Sequence, residues 1–222
     1  METPQIPQFS QLLEQIRQIG ETVLAAHASE VDRDARFPRE GIEALKQLRL
    51  LGALVPVELG GLGLGIDALA RICTVLGQHC AATAMVFAMH HIQLACLVRH
   101  GLQAPTIRDY LRALAAEQRL IASVTSEVGV GGDTRSSLCA VMVGGAHFTL
   151  EKDATTISYG AHADDLLVTC RRAPDAVASD QVLVLLRRGD FTLQQTSQWD
   201  TLGMRGTCSP GFKLQSQGPV GQ

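Results

Sequence analysis

The chain of 222 residues carries 19 Lys and Arg against 22 Asp and Glu, a formal charge of −3, and is 46% hydrophobic. That content is enough for one large packed core or two small ones. With neither a basic stripe nor an acidic tail, the balance argues against nucleic acid and membrane as partners and leaves a small molecule or another protein. The six cysteines, at 73, 80, 96, 139, 170 and 208, include no CxxC pair and lie mostly in apolar runs. They read as core thiols of a reducing compartment, with neither a metal site nor a disulfide framework. The opening "METPQIPQFSQLLEQIRQIG" lacks the basic start and apolar run of a signal peptide, which predicts a cytoplasmic address.

Taken in order, the first half of the chain is helical. Phe9, Leu12, Leu13, Ile16, Ile19, Val23 and Leu24 make one stripe at helical spacing. A second stripe, Ile42, Leu45, Leu48 and Leu51, is opened by Pro38 in a first-turn position and stopped by Gly52. Leu69, Ile72, Cys73 and Leu76 follow the i, i+3, i+4, i+7 pattern. The run from Ala81 to Val98 approaches the length of a membrane span, but Thr83, His90, His91 and Gln93 within it predict a helix buried in protein. A fifth helix follows Pro105.

Near residue 119 the pattern changes, and seven short β-rich runs follow, from "LIASVTS" to "GFKLQS", separated by Gly, Pro, Asp and Ser clusters. With no helices between them, these strands are expected to pair antiparallel. The predicted fold class is α+β: an N-terminal all-α domain over 1–118, then an antiparallel β-barrel or sandwich over 119–222.

The segment Ser123–Thr134, "SVTSEVGVGGDT", holds the densest polar chemistry in the chain. A Walker A loop needs Lys and Ser or Thr after its last glycine, where this chain has Asp133 and Thr134; the spacing of Gly129, Gly131 and Gly132 also breaks the GxGxxG dinucleotide pattern. An ordinary turn capped by Asp133 explains the glycines. So does a loop that brings backbone N–H groups and the hydroxyls of Ser123, Thr125 and Ser126 against a flat heteroaromatic ring or a pyrophosphate.

At these residues the chain resembles the acyl-CoA dehydrogenase family. "SEVGVGGD" is similar to that family's T/S-E-P-G-A-G-S-D segment, and "FPREGIEALKQLRLLGALVPVELGGLGLG" to its N-terminal helix and V-P-x-x-x-G-G-x-G loop. "TISYGAHADDLLV" resembles its W-I-T-N-G-x-x-A-D strand, and "DTLGMRGTCSPGF" the L-G-x-R-G-T-x-S segment that ends its β-domain. Four segments occur in the family's order between residues 37 and 212.

The resemblance implies FAD on the β-domain, with Ser123, Val124, Thr125 and Ser126 against the ring and Gly131 and Gly132 beside the cofactor. It implies that Gly132 also borders an acyl-CoA thioester lying between the domains, and that Thr156, Ile157 and Ser158 approach the flavin from a neighbouring strand. Three positions depart from the family's pattern: Val128 stands for its proline, Gly132 for a serine and Thr156 for its tryptophan. The family continues into a C-terminal helical domain that carries the catalytic base and builds the oligomer. The resemblance therefore implies a chain shortened by that domain, with no catalytic base of its own, acting in a homo-oligomer or with a partner chain.

The implied reaction is α,β-dehydrogenation of the thioester. A flavin-dependent monooxygenase on the same scaffold, or a non-catalytic binding or assembly protein, are the other readings. Glu127 is expected to be a loop carboxylate bonded to backbone N–H groups or to an arginine such as Arg135. His90 and His91, adjacent on one helix, diverge too far to share a metal; one is read as a polar-face residue, the other as core or pocket. Gly60, Gly61 and Gly63 read as a tight connection between helices, and Asp164 and Asp165 as turn caps. Arg205, flanked by glycines, suits a phosphate or carboxylate, or an ion pair inside the β-domain.

Overall fold

The computed structural model describes residues 6–220. The first five residues of the stretch inspected for a leader, and the last two of the chain, lie outside that range. The chain divides into two compact units, one running to Leu120 and including Asp200–Cys208, the other formed by Ile121–Trp199 and the segment from Ser209 onward.

In the first unit α1 (Ile6–Ile19) passes through a π-helical turn, Gly20–Leu24, into α2 (Ala25–Arg33). The helix therefore outruns the apolar stripe that ends at Leu24, and its extension buries Val31. Gly20 sits where a Cβ would lie 2.2 Å from His79 Cδ2, so only glycine lets the helix approach that ring. The next helix, α3 (Arg39–Gln47), has Pro38 as its N-cap and stops before Gly52, because Arg49 takes a left-handed conformation at φ 58° and the chain tightens into a 3₁₀ turn at Leu50–Gly52. Gly52 is needed for packing: a Cβ there would come within 3.2 Å of Ala115 Cα.

Three helices complete this unit: α4 (Ile66–Gly77), α5 (Ala81–His100) and α6 (Pro105–Glu117), the last with proline in its first turn. By length and composition α5 is apolar enough to cross a membrane, and half of its most hydrophobic window is buried. Val86, Phe87, His90, His91, Leu94 and Leu97 lie among its buried residues, and α4 packs against it. Gln118, left-handed at φ 55°, ends α6; its Oε1 accepts from Leu51 N–H at 3.0 Å and its Nε2 donates to Ala115 O at 2.7 Å.

The segment Asp200–Cys208, read from sequence as the end of the β-domain, belongs instead to this helical unit. Arg205 is what ties it there: the guanidinium donates to Asp32 O and to the Asp200 carboxylate, both at 2.8 Å, and to Thr201 O at 3.1 Å. Gly206 lies against α2 and α5, where a Cβ would fall 2.4 Å from Val31 Cγ1 and 2.9 Å from Ala82 Cβ. The Arg205 ion pair is thus real but structural, and it sits among helices rather than inside the β-domain.

All seven β-rich runs of the second unit form strands. They are β1 (Ile121–Val124), β2 (Met142–Gly144), β3 (His147–Ala154), β4 (Asp165–Arg171), β5 (Gln181–Arg187), β6 (Phe191–Gln195) and β7 (Phe212–Pro219). They divide into a three-stranded sheet, β1-β4-β5, and a four-stranded sheet, β2-β3-β7-β6. In the larger sheet β3 and β7 alternate strictly between exposed and buried residues, as expected for a sheet with one covered face.

One expectation is corrected. β1 and β4 pair parallel, from Ile121↔Asp165 to Val124↔Val168, while the other pairings between these strands are antiparallel. A parallel pair needs a long crossover. Here the hairpin β2-β3 of the other sheet supplies it, a role that helices usually fill.

Candidate functional site

The candidate residues are positioned by the C-terminal end of β1 and the loop that leaves it. Strand alternation turns Ala122 and Val124 into the core and leaves Ser123 half-buried; Thr125, just past the strand, is half-buried as well. Ser123 Oγ and Thr125 Oγ1 lie 3.0 Å apart, and Thr125 Oγ1 lies 3.3 Å from Thr169 Oγ1. Three hydroxyls thus form a continuous neutral row over the parallel pair of strands. Thr169 carried no sequence motif and was missed; the β1–β4 register brings it there.

Beyond this row the loop is bare backbone. Gly129, Gly131 and Gly132 have φ of 90°, 65° and 85°, all in the left-handed region that glycine adopts without penalty. A Cβ at Gly131 or Gly132 would meet nothing within 4 Å. These glycines are therefore set by conformation, and the space above them is open. Asp133 caps the turn as expected, accepting from Arg135 N–H at 3.0 Å and from Ser136 Oγ at 2.8 Å. The Ser136 hydroxyl, aided by that backbone N–H, holds the Asp133 carboxyl below its ordinary pKa.

Glu127 closes the loop at its base. Its carboxylate accepts from Leu138 N–H at 3.0 Å and Cys139 N–H at 2.5 Å, and lies 3.5 Å from Lys152 Nζ. The Lys152 side chain is 0% exposed and that of Glu127 6%. Lys152 also donates to Thr169 O at 2.6 Å, joining the two sheets. Of the two partners expected for Glu127, the backbone N–H groups are found, whereas Arg135 reaches Asp133 instead. Lys152 was missed, although its parity with Phe148, Leu150 and Ala154 marks it as an inward-facing lysine that must find a partner.

Of Thr156, Ile157 and Ser158, Thr156 reaches the loop, and none of the three lies on a strand. They follow β3 in an irregular segment, because β3 stops pairing at Ala154↔Phe212. Ser126 holds this segment from both sides: its Oγ donates to Thr156 O at 2.7 Å and accepts from Thr156 N–H at 3.1 Å. Thr156 is exposed, whereas Ile157 is fully buried with its N–H given to Pro210 O at 3.0 Å. Ser158 Oγ accepts from Ser209 Oγ at 2.8 Å. Next to it, Tyr159 is buried and donates to Ile121 O at 3.1 Å, and burial pushes its phenol pKa up. Two groups of hydroxyls thus lead into the glycine loop, the row Ser123–Thr125–Thr169 and the pair Ser126–Thr156, whose oxygens lie 3.3 Å apart.

Elsewhere, His90 and His91 are both buried. His90 Nε2 contacts Leu51 O at 2.7 Å and His91 Nδ1 contacts Phe87 O at 3.0 Å, so neither is a polar-face residue. Among the described residues no group of three His, Cys, Asp or Glu is placed to hold a metal. Gly61 sits where a Cβ would overlap Val55 O at 2.0 Å, in keeping with a tight connection. Asp165 caps Arg188 N–H at 3.1 Å, and Asp164 pairs with the Arg188 guanidinium at 3.4 Å.

These hydroxyls offer neutral donors and acceptors beside unobstructed backbone, with the Glu127 and Asp133 carboxylates committed to hydrogen bonds of the loop itself. Such an arrangement suits the polar edge of a flat ring or a pyrophosphate.

A family model described as "Acyl-CoA dehydrogenase, N-terminal domain" matches residues 7–118. The chain is 27% identical over 197 residues to cyclohex-1-ene-1-carbonyl-CoA dehydrogenase of Syntrophus aciditrophicus, covering 88% of this chain and 47% of that one. Its fold matches butyryl-CoA dehydrogenase of Megasphaera elsdenii with a TM-score of 0.83 at 19% identity, covering 99% of this chain and 58% of that one. Dibenzothiophene monooxygenase of Paenibacillus sp. A11-2 matches with a TM-score of 0.80 at 19% identity, covering 96% and 52%. The chain spans about half the length of the curated relatives it matches first.

Proposed function

The chain belongs to the acyl-CoA dehydrogenase family, and from that premise we propose that its second unit holds FAD for an oxidoreductase that dehydrogenates an acyl-CoA thioester at its α and β carbons. The observation that carries this reading is the row Ser123–Thr125–Thr169 leading to the bare glycines 131 and 132, in the segment that resembles the family's flavin loop. When bound, the flavin supplies the acceptor for the hydride that leaves the thioester's β-carbon.

The chain's own residues bind and orient. Hydroxyl and backbone groups of Ser123, Val124, Thr125 and Ser126 present neutral donors to the ring edge, where they stabilise negative charge as the ring is reduced. Gly131 and Gly132 let a second polar group approach the backbone. In this reading Gly132 borders the thioester through its N–H, since it has no hydroxyl to offer. Thr156 and Ser158 flank the cofactor, and Ile157 supports them from behind. The acyl-CoA substrate, a homo-oligomeric or partnered assembly and a cytoplasmic address belong to the same proposal.

Titration of the purified chain with FAD, followed by visible absorbance, tests the cofactor; uptake near one per chain is expected, and a protein that takes up none overturns the reading. Anaerobic addition of acyl-CoA thioesters to the flavin-loaded protein then tests the substrate through bleaching of the flavin band.

A second reading, monooxygenation by reduced flavin and oxygen, is favoured by one observation. Thr156 puts an exposed hydroxyl where the family's motif has tryptophan, which leaves the site without an aromatic wall. Product formation that depends on externally reduced flavin and oxygen, without bleaching by acyl-CoA, would select it.

A further inference from the structure

Cys139 and Cys170 are the two cysteines of the second unit, and the proposed flavin site uses neither. Backbone bonds set them side by side. Arg171 N–H donates to Cys139 O at 2.9 Å and Val141 N–H donates to Arg171 O at 3.0 Å, a parallel bridge that pairs Ala140 with Arg171. One residue back along both chains, the same register pairs Cys139 with Cys170 and turns both side chains to one face of the ladder. Neighbouring strands lie about 4.8 Å apart, within the Cα separation of about 4.4–6.8 Å that a disulfide spans.

The surroundings favour reaction. Cys170 Sγ faces Val182 O at 3.9 Å. Cys139 Sγ faces Thr169 O at 3.9 Å, the same carbonyl that receives Lys152 Nζ at 2.6 Å, so a fully buried ammonium stands beside the pair. The neighbouring Cys139 and the Lys152 charge lower the pKa of Cys170, against burial and the Glu127 charge, while the neighbouring Cys170 and burial raise that of Cys139, so one thiolate forms first in the pair. Cys139 is partly exposed while Cys170 is buried, so an oxidant from solvent meets Cys139 first.

We propose that Cys139 and Cys170 are a peroxide-reactive dithiol that closes to a disulfide across the β-bridge Ala140↔Arg171. The pair's thiolate attacks one oxygen of hydrogen peroxide; the O–O bond breaks, hydroxide leaves, and that cysteine becomes a sulfenic acid. The other cysteine, as thiolate, then attacks that sulfur, the S–S bond forms, and the S–O bond breaks with loss of hydroxide. The two thiol protons convert both hydroxides to water, so two thiols are oxidised and one peroxide is reduced. Because Glu127 clamps Cys139 N–H, the disulfide ties the returning end of the glycine loop to β4.

The test uses the full wild-type chain, treated with hydrogen peroxide, alkylated and digested with trypsin under non-reducing conditions. Cleavage after Arg135, Lys152 and Arg171 puts the two cysteines on separate peptides, 136–152 and 153–171. The expected result is a linked pair of these peptides, a fall in free thiols from six to four, and recovery of all six with dithiothreitol. Cys170→Ser, checked for folding by circular dichroism, is expected to drive Cys139 on to sulfinic and sulfonic acids. The proposal is overturned if the wild-type pair stays unlinked while Cys139 over-oxidises, or if the reversible thiol loss falls on other cysteines.

Discussion

Replacing Lys152 with methionine keeps the stem packed and removes only the buried ammonium. Glu127 is then left as a carboxylate with two backbone donors and no countercharge, and Thr169 O loses its 2.6 Å donor. At the 3.5 Å separation of the pair, Coulomb attraction at an effective dielectric of about 20 is roughly 5 kcal/mol. Breaking a buried pair by removing one member costs about 3–5 kcal/mol, a large part of the roughly 5–15 kcal/mol that holds a typical protein folded. Glu127→Gln combined with Lys152→Met removes both charges and keeps one acceptor for the loop. The double variant is expected to recover about 2 kcal/mol relative to Lys152→Met alone. Urea unfolding followed by the fluorescence of Trp199, the sole tryptophan of the chain and a member of the second unit, reads this directly. A Lys152→Met variant within about 1 kcal/mol of wild type, as for an exposed pair, would refute the reasoning, as would a double variant no more stable than the single one.

Ser126→Ala loses both bonds to Thr156 and is expected to cost about 1–2 kcal/mol and to weaken FAD uptake; unchanged urea midpoint and flavin affinity would count against the Ser126–Thr156 pair. Gly61→Ala puts a Cβ 2.0 Å from Val55 O, so the backbone must shift, at a cost of at least about 1–3 kcal/mol, readable as a lower Tm in circular dichroism. Burial, with help from the neighbouring His90, holds the His91 pKa well below 6.5 in the folded state. Below that pH the unfolded chain binds a proton that the folded one excludes. His91 therefore leaves stability unchanged above about pH 6.5 and makes it fall on acidification by up to about 1.4 kcal/mol per unit. His91→Leu should flatten this dependence in urea titrations between roughly pH 7.5 and 5; an unaltered slope would assign it to other groups.

Strand positions were legible because period-2 alternation between turn clusters is a local property. What period does not encode is the partner of a strand or its direction, and so β1–β4 came out parallel against expectation. The helix ends show the same limit. Apolar spacing carried α3 to Gly52, but Arg49 in a left-handed conformation ended it at Gln47, a backbone choice made by the packing of Leu50 and Leu51. Within the candidate site, Ser123, Thr125, Ser126 and the glycines announced themselves by composition. Lys152 was readable only by placing it in phase with Phe148, Leu150 and Ala154, and Thr169 only through the register of β4.

By itself, the sequence determined a helical part followed by a β part, the seven strands, the hydroxyl-and-glycine segment and the resemblance to the family. These are properties of short windows of chain, where side-chain spacing, turn chemistry and motif order are all written. The tertiary structure alone decided that Asp200–Cys208 returns to the helical unit through Arg205. It alone set the candidates 156–158 in a loop held by Ser126, and joined Glu127, Lys152 and Cys139 at the base of the glycine loop. These pairings link residues far apart in the chain, and their free energy exists only once both partners are desolvated together, so no window of sequence contains it.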